Sequence, residues 1–307
     1  MSTQFPGHAA YAFPPPGAAV AVGNFDGVHI GHRAILDGLR NLASKLGVRS
    51  LVYTFDPAPT AIVAPTRHQP RLTTLAERLR RLEDAGVDEI VVEPFTRAFA
   101  DGTAEWFATT VLRGRLGARG LVVGNDFRFG HGRVGDLAAF RRWAPDVEVL
   151  EVPPVAAAGA AVSSSRVRKL VMTGNVEGAA RLIGAPFALS GRVVEGEKRG
   201  RTLGFPTANL AADEEIRPAS GVYAVRVRLA DGRGYPGVCN VGSRPTFDGT
   251  GVTVETYLIG FDESLYGHSI CVHFVARLRG EERFADVDAL VGQIRLDVAA
   301  ALARLRP

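Results

Sequence analysis

The chain changes rhythm once, near residues 184–186, and that change limits the folds open to it. From Val20 to about Gly184, short apolar runs alternate with amphipathic stretches. Residues 19–23 are apolar, and 34–46 carry Ile35, Leu39, Leu42 and Leu46 at helical spacing. Residues 48–55 read as a strand, 74–85 as a helix stopped by Gly86, and 89–94 as a strand. A helix over 104–116 and a buried strand over 121–124 follow, and 148–152 and 165–173 continue the alternation. Strand–helix–strand order of this kind favours a parallel sheet covered by helices on both faces. After Pro186 the apolar runs become short and rich in β-branched and aromatic residues, over 188–194, 222–229, 235–241, 252–259 and 270–276. Val225, Val227 and Leu229 alternate with Arg226 and Arg228, as in a half-buried strand. Such strands with glycine turns between them suggest a sandwich or small barrel. One helix closes the chain, with Asp286 as N-cap and Leu290, Val291, Ile294, Val298, Leu302 and Leu305 on its apolar face. The expected domains are 1–185 and 186–307, with residues 13–17 (FPPPG) as a loose lead-in.

A chain of 307 residues has room for both domains. Its 46% hydrophobic and 22% charged residues are those of a globular protein, which sets disorder and fibres aside. No apolar run approaches the roughly 20 residues that span a bilayer. The first residues have neither the basic nor the apolar region of a secretory signal, so the expected location is the cytoplasm. The two cysteines, Cys239 and Cys271, each sit in a strand-like run and read as buried small hydrophobes. A net charge of +4 suits an anionic partner. Apart from two short clusters at 166–169 and 198–201, the basic residues are scattered, without the stripe or reading module of a nucleic-acid binder, and phosphorylated small molecules account for the charge equally well.

The run GNFDGVHIGH at 23–32 begins where an apolar run ends and a helix starts. At such a turn, backbone N–H groups and the helix dipole converge on an anion. Gly23, Gly27 and Gly31 allow close approach of phosphate, and His29 and His32 share one helix face. Either histidine alone reads as an ordinary surface or capping residue. Together, at a glycine-rich turn, they are suited to hydrogen-bond triphosphate oxygens and stabilise a leaving pyrophosphate.

H-x-G-H resembles the signature of the nucleotidyltransferase superfamily. The longer form at 23–32 resembles that of the prokaryotic bifunctional riboflavin kinase/FAD synthetase family. VGNDFRFG at 123–130 resembles the family's flavin-side loop, and SSSRVR at 163–168 the superfamily's phosphate-holding serine and arginine element. By this resemblance His29 and His32 are catalytic. Gly23, Phe25, Asp26, Gly27, Gly31, Ser163, Ser164, Arg166 and Arg168 bind the nucleotide, and Asp126, Phe127, Arg128 and Phe129 face the flavin. Three positions depart from the pattern. Ala58 stands in TFDPAP where the family has histidine, while Val162 and Ser165 replace isoleucine and threonine.

GRVVEGEKRGRTLGFPTANL at 191–210 resembles the opening of the riboflavin kinase domain. Thr207 and Asn209 offer oxygens two residues apart, on the same side of an extended segment. Hard oxygen donors of this kind suit Mg²⁺ bridging ATP phosphates. Lys198, Arg199 and Arg201 with the nearby glycines read as a flap over the nucleotide. The Walker A spacing is absent. GVYAVRV, NVGSRPTF, VETYLIGF, LYG and LRGEERF follow in the family's order. The resemblance implies that Glu255 is the catalytic base, that Gly191, Lys198, Gly200, Arg201, Pro206 and Thr207 bind nucleotide, that Thr207 and Asn209 hold Mg²⁺, and that Asn240, Arg279 and Glu281 shape the flavin end.

The implied architecture is an α/β nucleotidyltransferase-type domain with a Rossmann-like parallel sheet, followed by a β-barrel riboflavin kinase domain with a C-terminal helix. The implied function is phosphorylation of riboflavin to FMN by ATP, then adenylylation of FMN to FAD. The expected partners are riboflavin, FMN and ATP, with Mg²⁺ as cofactor and neither nucleic acid nor membrane. Ala58 keeps open a kinase with an impaired adenylyltransferase domain. A catalytically inactive flavin- or nucleotide-binding regulator is the alternative from another class, against which the intact His29, His32, Thr207, Asn209 and Glu255 argue.

Overall fold

The computed structural model describes residues 2–12, 15–67, 69–196, 200, 203–212, 216–246 and 249–306. The chain divides into two compact units, 1–69 with 75–163 and 70–74 with 164–307.

The first unit is built on β1 (Thr3–Phe5), β2 (Ala18–Val22), β3 (Arg49–Asp56), β4 (Glu89–Pro94), β5 (Ala118–Gly124) and β6 (Glu148–Val152). They form one sheet in the order β1-β4-β3-β2-β5-β6, every pair parallel. All five residues of β2 are buried, as a central strand covered on both faces requires. Alternation sorts its side chains. Ala19 and Ala21 join Leu36, Leu39 and Leu42 of helix Ile30–Leu46, while Val20 faces Phe107, Val111, Leu112 and Phe140. A two-strand ribbon, β7 (Ala156–Ala157) and β8 (Ala160–Ala161), follows the sheet.

One expectation changes here. The stretch 104–116 is α-helical only over Ala104–Trp106 and continues as a π-helix over Phe107–Arg115. Its i→i+5 bonds widen the turn, so Phe107, Val111, Leu112 and Leu116 all reach the core at spacings of four and five. Ahead of the lead-in at 13–17, β1 adds a strand at the sheet edge and Tyr11 is buried.

In the second unit, helices Ser164–Met172 and Val176–Ile183 precede a closed antiparallel barrel. Its strands are β9 (Phe187–Val194), β10 (Thr207–Ala211), β11 (Gly221–Leu229), β12 (Gly234–Thr246), β13 (Gly249–Leu258) and β14 (Ser269–Arg279). They run β10-β13-β12-β11-β14-β9, and β9 pairs back to β10. Phe187, Tyr223 and Phe274 are fully buried, and their rings meet. The last helix, Val287–Arg304, starts at the expected N-cap, where Asp286 accepts from the Ala289 N–H at 2.8 Å. Its buried side includes Ala301 and Leu305, packed on Val222, Ala224, Val238 and Ala276. Leu302, expected on that face, is exposed, and Asp297 is buried instead because Arg279 neutralises it.

Candidate active sites

In a doubly wound sheet, ligands bind beyond the carboxyl ends of the strands, where the strand order reverses. Here that point lies between β2 and β5, since β3 and β4 extend the sheet one way and β6 the other. The turn 23–29 leaves β2 and the loop 125–130 leaves β5, so two motifs from distant sequence flank one crevice.

The first turn is tightly held. Phe25 and Val28 are buried at φ 50° and 41°, and Gly27 lies at φ 84°. A β-branched residue with positive φ is strained backbone of the kind that gathers at binding sites. His29 caps the following helix, its Nδ1 accepting the His32 N–H at 3.2 Å. An accepting Nδ1 carries no proton, so the neutral ring of His29 bears its hydrogen on Nε2 as a donor. The two imidazoles stack with centroids 3.7 Å apart and 11° between planes. Burial pushes the His29 pKa down to about 4, with its own backbone and Asp26 opposing the shift. Burial, then the neighbouring His29 and Arg78, holds His32 well below the ordinary imidazole range. Both rings are therefore neutral hydrogen-bond donors at pH 7. Gly31 packs close under the imidazole, where a Cβ would lie 3.2 Å from the His29 ring.

Arg78, unnoticed in the sequence, organises this turn. It is buried, donates to the Asn24 carbonyl at 2.9 Å and to the Phe55 carbonyl at 3.0 Å, and lies 3.7 Å from Asp56. The signal was available, since Arg78 sits on the same helix face as Leu75, Leu79 and Leu82. Arg81 donates to the Gly27 carbonyl at 3.1 Å and, with Arg80, binds Glu77. Burial pushes the Glu77 carboxyl up, but the two guanidinium groups outweigh it and hold the pKa at about 2. Ala58 is the N-cap of the short helix Pro59–Val63 and offers it no side-chain bond.

In the loop after β5, Asp126 and Arg128 are exposed, Phe127 is half-buried and Phe129 is in the core. Phe127 and Phe129 stack at 5.2 Å. Gly130, at φ 73°, presses on Ala104, where a Cβ would lie 2.4 Å from the backbone. The serine–arginine element opens the helix Ser164–Met172 with Ser164 and Arg166 half-buried, and Arg168 Nε donates to the Pro70 carbonyl at 2.9 Å.

Strand register assembles the barrel site. Asn209 of β10 lies opposite Glu255 of β13, and Glu255 opposite Asn240 of β12. Asn240 is in turn opposite Val222 of β11, which also pairs with Arg279 of β14. Residues directly opposite in a sheet share a face, so Asn209, Glu255, Asn240 and Arg279 stand in one row. The neighbouring row, Ala208, Thr256, Cys239 and Tyr223, is buried on the other face. A one-residue slip would exchange the two. Arg279 is committed to the last helix: its Nε and Nη2 donate to Asp297 at 2.8–3.2 Å, and Gln293 donates to the same carboxylate at 2.9 Å. Glu281 Oε1 comes within 2.7 Å of the Cβ position of Gly242, beside Asn240.

Thr207 and Asn209 border a cavity of about 360 Å³, lined further by Gly196, Pro206, Leu258 and residues 261–266. Gly196 leaves room for the Asn209 side chain, since a Cβ there would lie 2.3 Å from its amide; one on Gly200 would meet the Phe205 carbonyl at 2.4 Å and the Thr207 hydroxyl only at ordinary contact distance, 3.4 Å. The closeness of Gly191 has a structural cause, the Ala211 carbonyl 2.3 Å from its Cβ position across β9 and β10. Lys198, Arg199, Arg201 and Phe247 lie outside the described residues.

The profile of the FAD synthetase family matches residues 14–166, and that of the riboflavin kinase family residues 183–305. The bifunctional riboflavin kinase/FMN adenylyltransferase of Escherichia coli K12 is 40% identical over 94% of this chain and 93% of its own length. The chain belongs to the bifunctional riboflavin kinase/FMN adenylyltransferase family. Family members from Pseudomonas fluorescens and Haemophilus influenzae are 40% and 36% identical over 95% and 94% of the chain, and 94% of each relative is covered. A crystal structure from Streptococcus pneumoniae, described as a macrolide-efflux protein, superposes with a TM-score of 0.87 at 33% identity over 98% of both chains. Among the described residues here, no helix is long and apolar enough to cross a membrane. The chain thus carries an FAD synthetase domain on the parallel sheet and a riboflavin kinase domain on the barrel.

Proposed function

We propose that each activity is carried out by the residues its motif implies, with the domain boundary at 185/186 where the sequence changes rhythm. The enzyme acts on riboflavin, FMN and ATP in the cytoplasm. In the kinase, Glu255 accepts the proton of the ribityl 5′-hydroxyl as that oxygen attacks the γ-phosphorus, and ADP leaves. The observation that carries this reading is the row Asn209–Glu255–Asn240, which sets a carboxylate between a candidate metal-side oxygen and the flavin end. Asn240, Arg279 and Glu281 shape that end, Arg279 through its hold on Asp297. Gly191, Lys198, Gly200, Arg201 and Pro206 belong to the nucleotide side.

Thr207 and Asn209 fit a small hard cation: both donors are neutral oxygens on one side of β10 and border the same cavity, and Gly196 leaves the Asn209 amide uncovered. Mg²⁺ held there would neutralise charge on the ATP phosphates. Thr207 and Asn209 orient that end of the nucleotide, and Glu255 handles the proton.

In the adenylyltransferase, an FMN phosphate oxygen attacks the α-phosphorus of ATP and the bond to the β-phosphate breaks, releasing pyrophosphate. His29 and His32 donate hydrogen bonds to the departing charge. Gly23, Phe25, Asp26, Gly27 and Gly31 line the triphosphate, and Ser163, Ser164, Arg166 and Arg168 are the phosphate-holding residues that the serine–arginine motif implies. Asp126, Phe127 and Arg128 meet the flavin, and Phe129 backs Phe127 from the core.

The test is product chromatography with Glu255→Gln. FMN formation from riboflavin should fall roughly 100-fold or more, the scale of a lost general base, while FAD formation from supplied FMN continues. Equal loss of both products would overturn the two-site assignment.

A further inference from the structure

The profile matched to the first domain begins at residue 14, yet residues 2–11 are joined to the sheet by buried polar groups. Ser2 Oγ donates to the Val87 carbonyl at 2.5 Å, and Tyr11 OH donates to Glu89 Oε2 at 2.5 Å. Arg49 holds the other oxygen of Glu89 at 2.8 Å. The most heavily used group is Glu93, at the carboxyl end of β4 and buried. Its Oε2 meets three groups, each at 2.7 Å: the backbone N–H of His8, the ring Nδ1 of His8 and the hydroxyl of Tyr53. A buried carboxylate needs donors of this kind, and two of the three come from one residue of the opening segment. Gly7 makes room for the bend at φ 86°, with the Glu93 oxygens 3.4 and 3.5 Å from its Cβ position.

The His8 ring lies against an aromatic cluster, 5.8 Å from the Phe99 ring and 6.1 Å from the Trp106 ring, and those two are 5.6 Å apart. That cluster backs the loop after β5. His131 N–H donates to the Gly102 carbonyl at 2.8 Å, Gly130 abuts Ala104, and Gly135 lies between Phe129 and Ala104. A connected path therefore runs from His8 and Glu93 through Phe99 and Trp106 to residues 127–135.

We propose that His8 and Glu93 are positioning residues for the FMN end of the adenylyltransferase site. Residues 2–11 form a strap that sets the Phe99–Trp106 wall and, through it, the loop carrying Phe127. The inference rests on reading residues 123–130 as the flavin-side loop.

The test compares the full chain with His8→Ala, His8→Asn, Phe127→Ala and the His8→Ala/Phe127→Ala pair. His8 is at the surface edge of the network, so its replacement leaves the fold in place, which thermal melting checks. His8→Ala should raise KM for FMN roughly tenfold or more, the scale of one lost bond to a carboxylate, with KM for ATP and the kinase rate unchanged. His8→Asn, whose Nδ2 can replace the Nδ1 donor, should recover most of that loss. The double variant should show less than the product of the two single effects, as residues acting through one element do. An unchanged KM for FMN in His8→Ala while Phe127→Ala raises it would overturn the strap alone. No effect of Phe127→Ala would overturn the flavin-side reading, and with it the route given to His8. Equal rises in both KM values, or no recovery with His8→Asn, would also count against positioning.

Discussion

His29 does two things with one ring. Its Nδ1 caps a helix, and that bond leaves the proton on Nε2, where a developing negative charge can use it. The same burial makes the site acid-sensitive. Because the folded pKa, about 4, lies below the ordinary 6.5, the unfolded chain binds the proton more readily. Stability from this group is then fully present above about pH 6.5 and is lost as pH falls toward 4, by about 3 kcal/mol in all. His32, shifted the same way, adds to the loss. Urea unfolding between pH 7 and 4 should show a shallower decline for His29→Asn, which retains a cap acceptor without titrating. An unaltered slope would mean that His29 is not the buried neutral imidazole described here.

At the scale of elements, the barrel site depends on backbone spacing as much as on side chains. The Cβ of an alanine at position 196 would fall 2.3 Å from the Asn209 amide, and the side-chain end is what can move. Gly196→Ala should therefore lower kinase turnover roughly 10- to 100-fold and raise the Mg²⁺ concentration needed, with adenylylation intact. A Mg²⁺ titration of FMN formation checks this, and wild-type behaviour would remove Asn209 from the metal site. Most elements were legible from period and punctuation. The strands 89–94 and 148–152 and the N-cap at Asp286 matched the reading, and most of the other expected strands and helices shifted by a few residues at their ends. The π-helix was not legible, because apolar residues at spacings of four and five suit either helix until a sheet is packed against them.

For the whole molecule, FMN is the product of one activity and the substrate of the other. A Glu255→Gln chain should adenylylate but not phosphorylate, and a His29→Ala/His32→Ala chain should do the reverse. Mixed and supplied with riboflavin and ATP, the two variants should accumulate FAD after a lag in which FMN appears, followed by chromatography. FMN without FAD from the mixture would mean that the intermediate is not shared between chains. What the residues decided by themselves is local: the two rhythms that separate sheet from barrel, the glycines that open turns, and the order of the motifs. Each follows from a few consecutive residues meeting their own backbone rules. Tertiary structure alone decided that Asn209, Glu255 and Asn240 share a row, that Arg78 holds the turn before His29, and that His8 closes on Glu93. Those pairings join residues well separated in the chain, and register and burial are set by which strand or helix lies alongside, which no short window of sequence contains.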